Sequence, residues 1–388
     1  MSADNELDDT VMARVDEVVE GAVAQGQAPG VVAAVSRGGR THVAAAGALA
    51  VGGAPMRRDT LFRITSNTKP MTAAVVLTLI DEGLLQLDAP IDELLPELAD
   101  RRVLLKPDGP LGETVPAQRS ITVRDLLTFT WGFGMQGAML MAPEPWPILA
   151  ATVERQLSTF GPPQPGTTPD PDTWMARLGE LPLLAQPGER WLYQTGSQVL
   201  AVLASRVADA AYEDVLRQRL LEPLGMKDTG FFTTDVGRLA TAYQQLDGRF
   251  EVIDPPDGQW SKRPAFPDGG AGLLSTADDL VAFGQMLLRG GSPVLRSSTV
   301  AEMTRDQLTA SQRANVWPGF SLLDGRGWGF GVSVLDDDRY TWDGGFGTTW
   351  SNVPSQGLVV VVLTQRATNE TGMPAVCDEV LAAARAPS

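Results

Sequence analysis

Phe62-Arg-Ile-Thr-Ser-Asn-Thr-Lys-Pro70 is the stretch on which the reading of this chain turns. Ser66 and Lys69 form a Ser-x-x-Lys pair. Met71 to Ile80 then runs through Met, Thr, Ala, Val, Leu and Ile without a breaker, the pattern of a buried helix. Pro70 fits only a first helical turn, where its missing N–H needs no partner. The helix therefore starts beside Ser66, and a serine and a lysine three residues apart share one face of it. Its N-terminus adds N–H groups and a positive dipole end, both favourable to developing negative charge. A serine needs a base within hydrogen-bond reach to act as a nucleophile, and lysine becomes one when burial lowers its pKa towards neutrality. Alone, such a pair is more often a capping serine followed by a solvated lysine, so the rest of the chain has to decide.

The 388 residues suffice for a large core and two lobes. A hydrophobic content of 43% with 20% charged residues is globular composition and not that of a disordered chain. The formal net charge of -16 argues against nucleic-acid binding, which needs a basic footprint. No apolar run reaches the roughly 18 residues that cross a membrane. The acidic start, Met1-Ser-Ala-Asp-Asn-Glu-Leu-Asp-Asp9, lacks both the basic and the apolar part of a signal peptide, which predicts a cytoplasmic protein. The one cysteine, Cys377, falls in a predicted C-terminal helix, so no intramolecular disulfide can form. The single histidine, His42, decides more. It lies in a predicted strand, and no Gly-x-Ser-x-Gly elbow accompanies it, which leaves a Ser-His-Asp triad unsupported. A zinc site built on several histidines is impossible. No metal and no cofactor is expected, and any hydrolytic chemistry must find its base elsewhere. The oligomeric state is not legible.

In chain order, Asp8 to Gln25 reads as an amphipathic helix. Gly30 to Ser36 and Thr41 to Ala46 read as a hairpin around Arg37-Gly-Gly-Arg40. Gly83 ends the Ser66 helix, and Thr122 caps a short one. Residues 132 to 187 are rich in Pro, Gly, Met and Trp and irregular until Thr173 to Leu184, as in a functional loop. Their Phe133, Met135, Met139, Met141 and Trp146 either line an acyl pocket or form a satellite core. Helices follow over Gln198 to Asp209, Tyr212 to Leu221 and, with Ser275 or Thr276 as cap, up to Leu288. Strands follow over Trp328 to Leu335, Tyr340 to Trp342, Thr348 to Asn352 and Leu358 to Thr364, then a last helix over Pro374 to Ala384. Strands at both ends with helices between predict one antiparallel sheet with an inserted helical lobe, and a site in the cleft between them.

Five segments in this order resemble the serine hydrolases of the class C β-lactamase fold. They are the Ser66 stretch, Gly83-Leu-Leu-Gln-Leu-Asp-Ala-Pro90, Ile121-Thr-Val-Arg-Asp-Leu-Leu-Thr128, Pro223-Leu-Gly-Met-Lys-Asp-Thr229 and Gly272-Leu-Leu-Ser-Thr-Ala-Asp-Asp-Leu280. That group holds β-lactamases, penicillin-binding carboxypeptidases, D-aminopeptidases and β-lactamase-like esterases. The resemblance implies an α/β (α+β) β-lactamase-like domain over residues 10–385, with a sheet lobe (1–60 and 265–388) and a helical lobe (61–264). It implies Ser66 as nucleophile and Lys69 as its partner. Tyr193 stands in the family's Tyr-x-Asn element, with Thr195 where the family has Asn. Trp342-Asp343-Gly344 stands where Lys-Thr-Gly or His-x-Gly is usual. Losing the Asn amide and the cation weakens a β-lactamase reading, and Trp342 resembles the esterase branch. Asp343 is either a strand-end carboxylate that tunes the site or, as the preferred reading, a turn residue. Gly345 and Ser66 would supply the oxyanion N–H groups.

These readings predict a serine hydrolase that cleaves small carboxylic esters through an acyl-enzyme on Ser66. Lys69 and Tyr193 share the proton work. Thr195, Trp342, Asp343, Gly344, Trp131, Met135 and Met139 are expected against a small-molecule ester or amide substrate, with the loop Gly132 to Gly166 setting acyl specificity. The alternatives are an amide-directed β-lactamase, a D-aminopeptidase or carboxypeptidase, an acyltransferase, and a non-catalytic binding protein of this fold.

Overall fold

Val31 to Val35 and Leu358 to Leu363 are apolar at every position, as strands are when both faces of a sheet are covered. In the computed structural model these two segments lie side by side at the centre of a seven-stranded antiparallel sheet. The strands are β1 (Gly30–Arg37), β2 (Arg40–Gly47), β3 (Gly327–Trp328), β4 (Ser333–Val334), β5 (Tyr340–Gly344), β6 (Thr348–Val353) and β7 (Leu358–Thr364), in the spatial order β2-β1-β7-β6-β5-β4-β3. Val31 faces Thr364 and Val35 faces Val360 across β1 and β7, and Trp342 faces Trp350 across β5 and β6. The described residues are 7–386 apart from 136, 160, 315–322, 324 and 370–371. Most of the acidic N-terminus therefore lies outside them.

The pleat sends alternate side chains to opposite faces. Val31, Ala33, Val35, Val360 and Val362 pack on one side with α1 (Asp9–Ala24) and the C-terminal helix Val376–Arg385. Val32, Ala34, Val359, Val361 and Leu363 pack on the other, into the main core shared with the helical lobe. At the heart of that core is α2 (Thr68–Asp81), buried from Thr68 through Leu79. A helix apolar all round has to sit inside.

The helical lobe adds α3 (Val123–Leu127), α4 (Gly137–Met141), α5 (Pro147–Glu154), α6 (Pro171–Gly179) and α7 (Thr195–Ala208). α8 (Ala277–Leu288) returns to the sheet. Thr122 caps α3 in a reciprocal box with Asp125, and Thr276, not Ser275, caps α8. Ser275 is instead paired with Phe62 in a two-residue ladder. Among the described residues no helix is long and apolar enough to cross a membrane.

Three expectations change. The stretch read as irregular from 132 holds α4 and α5, the latter opened by Pro147 at its first position, and the periodic segment expected over Thr173 to Leu184 is a helix that starts earlier, at Pro171 with Asp170 as cap, and ends at Gly179. The strand expected over Trp328 to Leu335 is split into β3 and β4 by a turn in which Gly331 takes φ +71°. The helix expected from Tyr212 to Leu221 is α-helical only to Leu216 and widens to π geometry over Arg217–Leu221.

Candidate active site

Ser66 lies in a 3-10 turn, Thr65–Asn67, that runs into α2. The turn is clamped from two sides. The Ile64 N–H donates to Leu273 O (3.0 Å), beside the ladder of Phe62–Arg63 with Leu274–Ser275. From the sheet, the Thr348 hydroxyl donates to Ile64 O (3.0 Å), and Asn67 Nδ2 donates to Thr348 Oγ1 and O (3.1 and 3.2 Å). Gly344 makes this approach feasible: a Cβ there would sit 2.2 Å from Ile64 O and 2.6 Å from Thr65 Oγ1. The end of β5, and with it Gly345, is thereby held against the serine turn. Among the described residues, a Cβ on Gly345 would meet only Thr368 Oγ1, at 3.9 Å.

Lys69 is fully buried one turn into the helix. Its Nζ lies 2.9 Å from Ser66 Oγ, 2.7 Å from Gln194 Oε1 and 2.7 Å from Gly270 O. Burial pushes the ammonium down to about 7, against the opposing charge of Asp268. Asp268 is itself buried. It accepts from the Gly270 N–H (2.6 Å) and from Gln198 Nε2 (3.1 Å), and burial pushes its carboxyl up despite these bonds and the charge of Lys69.

Tyr193 precedes α7, with Lys69 Nζ 4.7 Å from its ring centroid. Its hydroxyl is hydrogen-bonded to the Ser66 side chain and accepts from Trp342 Nε1 at 3.0 Å. Burial raises its pKa well above the usual phenol value; the two hydrogen bonds offset only part of this, and the Asp343 charge adds to it. Trp342 is therefore a buried donor to the phenol rather than a cation's substitute at the surface. It belongs to an aromatic cluster with Phe129, Trp191, Trp328 and Tyr193, and ring centroids run from 4.7 Å (Trp328–Trp342) to 6.2 Å (Phe129–Trp191). Met135 packs against this cluster, and its backbone exchanges hydrogen bonds with Tyr193 at 2.7 and 3.0 Å.

Asp343, expected in a turn, is a strand residue of β5. Its carboxylate accepts from the Thr349 hydroxyl (2.7 Å) and stands 3.6 Å from Arg326. Three residues expected against the substrate have buried side chains. Trp131 is fully buried, its ring tilted against Phe133 at 5.6 Å between centroids, and Met139 packs in the same helical-lobe core. Their apolar surface is claimed by the core, which for Met139 is the satellite-core reading; that reading does not extend to Trp131. Thr195 opens α7 fully buried, and its hydroxyl has no partner among the described residues. The side chain of Met141 lies outside the described residues.

Gln194, Asp268 and Gly270 escaped the sequence reading. Gln194 is the variable middle residue of Tyr-x-Asn, and Asp268 precedes a glycine-rich turn, Gly269-Gly-Ala-Gly272, that carries no catalytic signature of its own. A hollow of about 600 Å³ lined by Asp254, Gln259, Lys262 and Arg263 contains none of the Ser66, Lys69 or Tyr193 groups, so size does not locate the site.

Known proteins bear on this arrangement. The profile of the family described as Beta-lactamase matches residues 15–384. The chain belongs to the Beta-lactamase family, and it is a hydrolase. It is 38% identical over 339 residues to Protein Rv1367c of Mycobacterium tuberculosis, covering 81% of this chain and 79% of that one. It is 30% identical over 394 residues to Esterase EstB of Burkholderia gladioli, covering 92% and 91%. Among solved structures, "EstCE1, a hydrolase with promiscuous acyltransferase activity" superposes with a TM-score of 0.81 at 25% identity, over 97% of this chain and 99% of that one.

Proposed function

We propose that the protein hydrolyses small carboxylic esters through an acyl-enzyme on Ser66. The observation that carries this is Lys69: wholly buried, brought to about 7, and 2.9 Å from the Ser66 hydroxyl. Near neutral pH much of it is the free amine, which takes the serine proton as Oγ attacks the carbonyl. The N–H groups of Ser66 and Gly345 receive the oxyanion. Tyr193, kept protonated by burial, passes its proton to the leaving alkoxide and is recharged from the Lys69 ammonium, so the serine proton ends on the alcohol. Water then repeats the sequence in reverse and frees the acid.

Ester preference is supported by Trp342 in place of a cation for a substrate carboxylate, by Thr195 in place of an amide-binding Asn, and by the likeness to Esterase EstB. Acyl transfer to an alcohol is the second reading. It is supported by relatives that include "Acyltransferase calJ" of Penicillium decumbens, 27% identical over 317 residues. The test is one panel: p-nitrophenyl esters with and without an added alcohol, nitrocefin and D-amino-acid amides, on wild type and Ser66→Ala. Wild type should turn over short esters best, and the variant should lose on the order of 10⁴-fold or more. Undiminished turnover in Ser66→Ala would remove the nucleophile assignment, and nitrocefin preferred over esters would reverse the substrate ranking.

A further inference from the structure

We infer that Gln194 is a positioning residue for the general base, holding the Lys69 lone pair on Ser66. The inference rests on the acyl-enzyme reading above. A neutral amine has two N–H bonds and one lone pair. Nζ of Lys69 meets three oxygens, and two of them, Gln194 Oε1 and Gly270 O, can only accept. Once those two take the N–H bonds, the lone pair has a single direction left, towards the Ser66 hydroxyl 2.9 Å away. Either acceptor alone would leave the amine free to rotate a hydrogen towards Ser66, where it blocks proton abstraction.

The backbone is distorted where this contact is made. Gln194 has φ +89° and ψ -69°, a γ-turn geometry that non-glycine residues rarely adopt. A residue held in so sparsely populated a conformation is strained and persists when its surroundings over-determine it. The conformation puts the side chain of the middle motif residue, not the third, against Lys69. Thr195 is correspondingly idle: its buried hydroxyl has no partner among the described residues.

Strain and function separate in Gln194→Gly. Glycine tolerates this φ, so the backbone strain is relieved while the amide acceptor is lost. The expected result is an unchanged or higher melting temperature with ester kcat lowered about tenfold or more, within the reach of general-base effects. The acidic limb of kcat/KM should also move to lower pH, because the ammonium loses one acceptor and its charged form is less favoured. Gln194→Glu keeps an acceptor at the same reach and adds a negative charge. It should move the limb to higher pH and restore most of the plateau above it. A melting temperature that falls in step with activity in Gln194→Gly, or a limb that moves upward in that variant as water floods Lys69, would overturn the proposal in favour of a scaffold role. So would wild-type kcat in Gln194→Gly. These outcomes are distinct from failure of the acyl-enzyme reading, which Ser66→Ala reports separately.

Discussion

At Lys69 two effects oppose each other: burial lowers its affinity for a proton, and the buried Asp268 carboxylate raises it. Burial is the larger, which is why the amine is free near neutral pH. Asp268→Asn removes the opposing charge with little change of shape. Asn Oδ1 can still accept from the Gly270 N–H. Gln198 can turn its amide to offer Oε1, which has no partner among the described residues, to the new NH₂ group. The expected outcome is an acidic limb of kcat/KM displaced to lower pH, with the plateau little changed; a limb displaced upward would show that Asp268 does not act on Lys69 through its charge. The pairing of Ser66 with Lys69 was legible because both lie on one helical turn, where spacing alone sets proximity. Gln194, Gly270 and Asp268 reach the same nitrogen from 125 to about 200 positions away, and nothing local marks them. Gln194 was further hidden by its backbone, since a positive φ at a glutamine has no signature in composition.

At the scale of elements, strands and long helices were legible wherever burial is two-sided. β7 is apolar up to its last residue and α2 is apolar from Met71 to Ile80 apart from Thr72 and Thr78, so neither could be mistaken for surface. Short elements were less so. α5 and α6 open on Pro147 and Pro171, residues that by themselves read as loop, and only their position at a first turn turns a breaker into a starter. The segment from Gly132 to Gly166 therefore splits into two kinds of residue. Met135 is joined to Tyr193 by paired backbone hydrogen bonds and leans on the aromatic cluster. Met139 sits in the helical-lobe core at 3% exposure. Met135→Ala should shift the preferred acyl length of p-nitrophenyl esters with little change in unfolding midpoint. Met139→Ala should cost about 2–5 kcal/mol in urea unfolding and leave the length preference as it was. Equal losses at every acyl length in Met135→Ala would make this segment scaffold throughout.

Across the whole molecule, the sheet is closed by strands from both ends of the chain, and the serine turn is held where that sheet meets the helical lobe. The sheet's assembly from both ends was visible in the distribution of apolar runs, but the tie at the junction was not, because it is an ion pair between residues 191 positions apart. Arg63, three residues before Ser66, is buried with Asp254; side-chain exposures are 2% and 4%. The guanidinium also donates to Ala240 O (2.6 Å) and Pro255 O (2.8 Å). One cation thus fixes both ends of the hairpin formed by Ala242–Leu246 and Arg249–Asp254 to the strand that carries the nucleophile. Asp254 in turn accepts from the Gln259 N–H (2.9 Å), which extends the tie to the following loop. Burying both charges is costly, so the pair as such adds little net stability; removing one partner strands the other and costs about 3–5 kcal/mol. Asp254→Ala should therefore lower the unfolding free energy measured in urea by that amount and reduce ester kcat, since Phe62–Arg63 would be freed to shift with Ser66. Arg63→Met with Asp254→Leu leaves no stranded charge, but it gives up the two carbonyl contacts. Its stability should lie between wild type and Asp254→Ala while kcat stays low. A double variant that recovers wild-type kcat would mean that the pair serves the fold alone and does not position Ser66.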